Sequence, residues 1–200
     1  MPLYFVNGVI MAGRKVIVTG VPGVGKTSVI TDTLQKLADE GVSYQNINFG
    51  SFMFEVAKAK NLVQDRDEMR KLTKDEQKAL QREASQQIAK IDGNVLIDTH
   101  ASVKTPAGFL PGLPEWVLRD LMPDMIVLVE ADDDQILRRR LSDASRLRDI
   151  EGSRSIRDHQ EFNRSVAASY AMLTGCTVLY VENADFLLDK SVEALVTALR

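Results

Sequence analysis

Cysteine and histidine are nearly absent from this chain: Cys176 is the only thiol, and His100 and His159 stand far apart. A single cysteine excludes an internal disulfide framework, and with two separated histidines it leaves no Cys/His zinc site. No apolar run approaches the length of a membrane span, and residues 1–6 lack the basic start and long apolar region of a secretory signal. A basic surplus is missing as well. Lys and Arg number 25 against 28 Asp and Glu, a net charge of -3, whereas general nucleic-acid binders carry excess positive charge that displaces phosphate counterions. These absences lead us to expect a cytoplasmic chain that binds neither membrane nor nucleic acid.

What is present is a regular alternation. At 200 residues and 44 % hydrophobic content the chain can bury one sizeable core. Short apolar runs at 15–19, 43–49, 95–97, 125–130 and 176–181 predict strands, and apolar residues at helical spacing predict helices over 27–40, 75–92, 115–121, 132–142, 156–174 and 187–200. A shorter helical stretch carries Phe52, Met53, Val56 and Ala57, and Pro106, Gly108, Pro111, Gly112 and Pro114 predict a loop. Five buried strands separated by helices imply an α/β fold: a parallel five-stranded sheet with helices on both faces. Residues 14–200 are expected to form one domain. Residues 1–13 depart from this pattern, and we treat them as an extension, with Met11 as an alternative translation start.

The informative motif is Gly20-Val21-Pro22-Gly23-Val24-Gly25-Lys26-Thr27, between the first predicted strand and the first helix. It has the form G-x-x-x-x-G-K-[ST] of a phosphate-binding loop. Its glycines let successive backbone N–H groups converge on phosphate oxygens, Lys26 adds a cation, and the Thr27 hydroxyl suits Mg2+. The helix that begins there presents its partly positive end to the same anion.

Ligands of parallel sheets sit at the carboxyl ends of the strands. Polar groups just after strands are therefore expected to converge with the loop: residues 48–51, Asp98-Thr99-His100 and Glu130-Ala131-Asp132. Asp98 is positioned to support Mg2+ directly or through water, with a turn cap as the plainer reading. His100 reads equally as a substrate contact or as a structural donor. Seven of the fourteen arginines lie between Arg138 and Arg157; such a cluster can be a solvated face or a nucleic-acid patch, and beside the loop it favours a closing lid at about 143–155. Arg138, Arg139 and Arg140 cannot all face one site, because successive helix residues point about 100° apart. Arg66 and Arg70 can share a helix face and take a second phosphate, or pair with Asp67 and Glu68. Phe49, Phe52, Met53 and Phe54 can wall a base pocket or belong to the core.

Five long stretches carry a resemblance beyond the loop: GVPGVGKTS at 20–28, NFGSFMFEVAK at 48–58, VQDRDEMRKL at 63–72, DTHASVKTPAGFLPGLP at 98–114 and RRLSDASRLRD at 139–149. Together they resemble the archaeal-type adenylate kinases over nearly all of residues 14–200. The resemblance implies the P-loop NTPase, nucleoside monophosphate kinase-like fold with a short arginine-rich lid. It also implies transfer from MgATP to AMP giving two ADP, and a cytoplasmic homotrimer. Carried over by motif, residues 20–28, including Ser28, bind the ATP phosphates, with Lys26 on the β and γ groups and Thr27 and Asp98 serving the metal. Arg66 and Arg70 meet the AMP phosphate within an AMP-binding segment of about 48–92. Asn48, Phe49, Gly50, Phe52 and Met53 help frame adenine or ribose. Arg140, Arg146 and Arg148 close on the transferred phosphoryl, and Arg164 is a weaker match. Arg154 and Arg157 fall outside the pattern.

Two other readings stay open on residues alone. One is a kinase for another nucleoside monophosphate, since the loop reads only phosphate. The other is a nucleotide-switch ATPase acting on a protein partner.

Overall fold

The computed structural model describes the backbone of residues 3–6, 9–142 and 152–200, with side chains from residue 13 onward within those ranges. In chain order the elements are β1 (Leu3–Val6), β2 (Val9–Ala12), β3 (Lys15–Thr19), α1 (Lys26–Asp39), β4 (Tyr44–Asn48), α2 (Phe49–Ala59), a 3-10 turn at Arg66–Lys71 and α3 (Lys74–Ala89). There follow β5 (Asn94–Asp98), β6 (Ser102–Thr105), β7 (Gly108–Pro111), α4 (Glu115–Leu121), β8 (Met125–Glu130), α5 (Asp133–Ser142), α6 (Ser153–Thr174), β9 (Thr177–Glu182) and α7 (Leu188–Leu199).

The central sheet has the order β4-β5-β3-β8-β9, and every pairing is parallel. Strand alternation sorts its side chains to two faces. On one face Val16, Val18, Leu96, Val127 and Val129 pack with Val29, Ile30 and Leu37 of α1 and Val192, Leu195 and Val196 of α7. On the other, Ile17, Val95, Ile97, Ile126 and Leu128 pack with Ile88 of α3, Val117 and Leu118 of α4 and Ala167 and Tyr170 of α6. A smaller cluster of Val56, Ala57, Val63 and Leu80 joins α2 to α3.

Three of the five strands are buried as expected, whereas the outer two are not. Tyr44–Asn48 and Thr177–Glu182 are half-exposed, because an edge strand has a hydrogen-bonded neighbour on one side only. Phe49 does not continue β4. Asn48 caps a helix there, its side-chain oxygen accepting from the Ser51 N–H at 3.0 Å.

The segment expected as a loop around Pro106 is an antiparallel hairpin, β6–β7. Its pairing is bounded by a turn with Gly108 at φ 118°, and long-range contacts hold it. The Tyr170 hydroxyl donates to the Ala101 carbonyl at 2.9 Å, and Ser102 donates to Asn163 at 2.6 Å. A Cβ at Gly112 would stand 1.8 Å from the His100 carbonyl oxygen, so only glycine permits this close return. Within residues 1–13, read as an extension, Leu3–Val6 and Val9–Ala12 pair as two antiparallel strands, with Leu3 opposite Ala12 and Val6 opposite Val9.

Candidate active site

The carboxyl ends of β3, β4 and β5 open into one cleft of about 820 Å³. Gly20 to Thr27 form one wall, Asn48, Ser51 and Arg66 the other, and Asp98 and His100 the floor between them, with Arg139 at the side. Three of the four strand-end groups thus converge. The fourth does not line the cleft: Glu130 accepts from Arg164 Nε at 2.9 Å, and Asp132 Oδ1 accepts the Asp134 N–H at 2.9 Å.

In the loop, Gly23 and Gly25 adopt φ of 88° and 90°, values that favour glycine and suit the form expected of an anion-binding loop. Lys26 starts α1 and lies against two acceptors. Its ammonium pairs with Asp98 Oδ1 and donates to the Thr99 carbonyl at 2.7 Å. Burial lowers the Lys26 pKa, and the neighbouring Asp98 carboxylate works against that shift. Asp98 is also reached from the other wall, where Asn48 Nδ2 donates to Oδ2 at 3.1 Å. That contact follows from the sheet, in which Asn48 lies directly across from Asp98.

Arg66 extends from the 3-10 turn over the first turn of α2 and donates to the Ser51 hydroxyl at 3.2 Å. A Cβ at Gly50 would stand 3.4 Å from the Arg66 guanidinium, an ordinary van der Waals contact that places Arg66 directly over this turn. The His100 pKa is lowered, first by surrounding protein and then by the Lys26 charge; its ring is crowded yet still lines the open cleft.

Other expected site residues lie elsewhere. Phe49 is buried in the core, and Phe52 and Met53 pack at the seam between that core and the α2–α3 cluster. Arg70 and Ser28 are exposed and do not line the cleft. Arg140 donates from Nε to the Pro22 carbonyl at 2.7 Å. Arg146, Arg148 and most of the expected lid lie outside the described residues. Arg164, besides binding Glu130, lies over the Tyr180 ring at 5.6 Å, and Arg157 pairs with Asp133 at 2.8 Å. Ser51 lies within the turn 48–51 that was expected at the cleft, whereas sequence reasoning did not single out Arg139. Arg140 was the member of the run expected to act, and both reach loop carbonyls, Arg139 that of Val24 and Arg140 that of Pro22.

Comparison with known proteins decides the family. A model of the AAA domain matches residues 19–157. Adenylate kinase of Methanoculleus marisnigri is 64 % identical over 192 residues, covering 95 % of this chain and all of that protein. Adenylate kinase of Methanocaldococcus jannaschii is 49 % identical over 192 residues with the same coverage. The chain belongs to the archaeal-type adenylate kinases. The fold of this adenylate kinase is shared more widely. Shikimate kinase from Bacteroides thetaiotaomicron superposes with a TM-score of 0.56 at 15 % identity, covering 93 % of this chain and 98 % of its own. Shikimate kinase from Acinetobacter baumannii gives 0.57 at 13 % identity, covering 94 % and 93 %. The P-loop kinase architecture is therefore common to enzymes whose sequences have diverged almost completely.

Proposed function

We propose that this enzyme transfers the γ-phosphoryl group of ATP to AMP, reversibly, giving two ADP. The observation that carries the reading, beyond family membership, is a single cleft with an anion-binding loop on one wall and an arginine on the other. In-line transfer between two phosphates needs that arrangement, because the protein's contribution is positioning and charge stabilisation.

We assign the donor phosphates to the backbone of Gly20–Thr27 and to Lys26, and the acceptor phosphate to Arg66 with Asn48 and Ser51 alongside. The AMP phosphate is the nucleophile and requires no general base. Lys26 stands between the loop and Asp98, where it can follow charge as it moves from the γ to the β oxygens. The lid, assigned to about 143–155 with Arg146 and Arg148, would exclude water as a competing acceptor.

Thr27 and Asp98 fit Mg2+. Both offer hard oxygen donors beside the loop, and among the described residues no group of three His, Cys, Asp or Glu side chains meets to form a protein-only metal cage. Few protein ligands supplemented by phosphate and water suit Mg2+. Since Lys26 and Asn48 already engage the Asp98 carboxylate, we assign its metal contact through water. The ion's chemistry there is to offset phosphate charge.

A coupled assay of ADP formation from ATP with AMP, CMP, UMP and GMP tests the assignment. AMP-dependent turnover well above the other three is expected. Equal rates with all four point to a broader nucleoside monophosphate kinase, and ATP hydrolysis indifferent to acceptor points to a switch. We further propose a cytoplasmic homotrimer on the family resemblance; among the described residues no helix is long and apolar enough to cross a membrane. A monomeric mass in solution scattering overturns the trimer.

A further inference from the structure

A phosphate cradle turns its N–H groups inward, so its carbonyls turn outward and need donors of their own. Two are served locally: the Val21 carbonyl accepts the Val24 N–H at 3.2 Å, and that of Gly25 accepts the Val29 N–H at 3.3 Å. Two others are served from across the fold. Pro22 is reached by Arg140, as described. The Val24 carbonyl accepts twice, from Arg139 Nη1 at 2.9 Å and from Asn183 Nδ2 at 2.8 Å.

Arg139 is itself held. Its Nη2 donates to the Asn183 carbonyl at 2.9 Å, and Asp185 Oδ1 accepts from Nε at 2.8 Å and from Nη2 at 2.5 Å. Asn183 is 6 % exposed; its N–H donates to the Glu130 carbonyl at 2.7 Å, and its Oδ1 accepts from Ser191 at 3.3 Å. The Asp185 N–H donates to Gln135 Oε1 at 3.0 Å. The fit is close, for a Cβ on Gly25 would fall 2.4 Å from Asn183 Nδ2.

We propose that Arg139, braced by Asp185 and joined by Asn183, is a positioning residue for the phosphoryl donor: it holds the Val24 carbonyl outward so that the loop's amides face the phosphates before nucleotide arrives. This rests on the reading that the loop takes ATP. Arg139 lines the cleft, but Asp185 opposes its charge at hydrogen-bond distance, so it acts through the shape of the loop. Its hydrogen bonds among the described residues run to the loop and to residues 183–185, and not to Asn48, Ser51 or Arg66. The effect of disturbing it therefore belongs to the donor side alone.

The test is Arg139→Lys and Asp185→Asn, each measured for ATP and AMP in equilibrium binding and steady-state kinetics, with the nucleotide-free melting temperature alongside. A lysine can reach one acceptor but cannot span three. The expected result is an ATP dissociation constant and KM raised about tenfold, as for loss of charge-assisted hydrogen bonds, with the AMP KM changed less than about twofold. Parental ATP binding in both variants overturns the proposal. So does a parallel loss for both nucleotides, which is the mark of a merely structural role. If Arg139→Lys does not fold, Asp185→Asn decides by the same criterion. An unsubstituted enzyme that makes no ADP from AMP refutes the adenylate kinase activity, while the ATP-binding comparison still decides the role of Arg139.

Discussion

Asn48 and Asp98 end adjacent strands directly opposite one another, and the Asn48 amide donates to the Asp98 carboxylate at 3.1 Å. The same carboxylate pairs with Lys26. One side chain on the floor of the cleft thus connects the wall assigned to the donor with the wall assigned to the acceptor. Asp98→Asn should keep the shape but lose the charge that fixes Lys26. We expect kcat to fall by roughly 100-fold or more, measured as AMP-dependent ADP formation; a loss below about threefold would show that Lys26 needs no such partner.

Lys26→Ala should abolish transfer while leaving the fold intact. Burial lowers the Lys26 pKa below its ordinary 10.5, so the folded state holds that proton less tightly than the unfolded chain. The sign follows: the stability contributed at this position is full only above 10.5 and is diminished as pH falls through the folded value. At neutral pH the buried charge is a burden on the fold, and its removal should move the melting temperature by no more than a few degrees. Activity should drop by about three orders of magnitude. Turnover kept within tenfold of the parent would refute the role.

Arg66→Met should act on the acceptor side only. Arg66 donates to Ser51 on its own wall of the cleft and makes no hydrogen bond to the loop among the described residues. The AMP KM is expected to rise roughly 10- to 100-fold, the scale of a lost charge-assisted phosphate contact, with the ATP KM nearly unchanged. Comparison with Arg139→Lys makes a reciprocal pair: one substitution weakens AMP, the other ATP.

The pH dependence of stability should carry a signature of His100. Its folded pKa lies below the ordinary 6.5, first because neighbouring protein displaces water from one side of a ring that still faces the cleft, and then because of the Lys26 charge. The neutral form is favoured in the fold, so the stability it contributes is fully present above about 6.5 and is lost as pH falls through the folded value. Melting temperatures at pH 7 and pH 5 should therefore differ less in His100→Gln than in the parent. An equal acid-side loss in both would show that other groups carry it.

Ser102, His159 and Asn163 are 3 %, 5 % and 3 % exposed. The Ser102 hydroxyl donates to Asn163, so its oxygen is left to accept from His159 Nε2 at 3.1 Å. Ser102→Ala removes a partner of each and leaves buried polar atoms short of a hydrogen bond. The cost should be about 1–3 kcal/mol by urea unfolding, or on the order of 5 °C in melting temperature. A stability within about 0.3 kcal/mol of the parent would show that the remaining contacts suffice.

Legibility in the sequence followed the range over which each signal acts. The loop at Gly20–Thr27 was readable because its chemistry is contiguous, and Lys15–Thr19 or Met125–Glu130 because a doubly buried strand is apolar throughout. The β6–β7 hairpin was not readable. Pro106, Gly108 and Pro111 speak for a loop, while the bonds from Tyr170 and Asn163 that hold the strands come from more than 50 residues away. Phe49 misled in the same way. A residue next to a functional turn can serve pocket or core, and the cap at Asn48, which starts a helix, turned this one inward.

By itself the sequence determined that a phosphate-binding motif stands at the amino end of α1, that the sheet is parallel, and, through five long motifs, the family. Those properties rest on local spacing and on runs of consecutive residues. Tertiary structure alone decided which polar groups share the cleft and what each touches there. Asn48 meets Asp98 because two strands lie side by side. Arg139, rather than Arg138 or Arg140, holds the Val24 carbonyl, because a helix turns about 100° per residue and the direction of each side chain is set by how α5 packs.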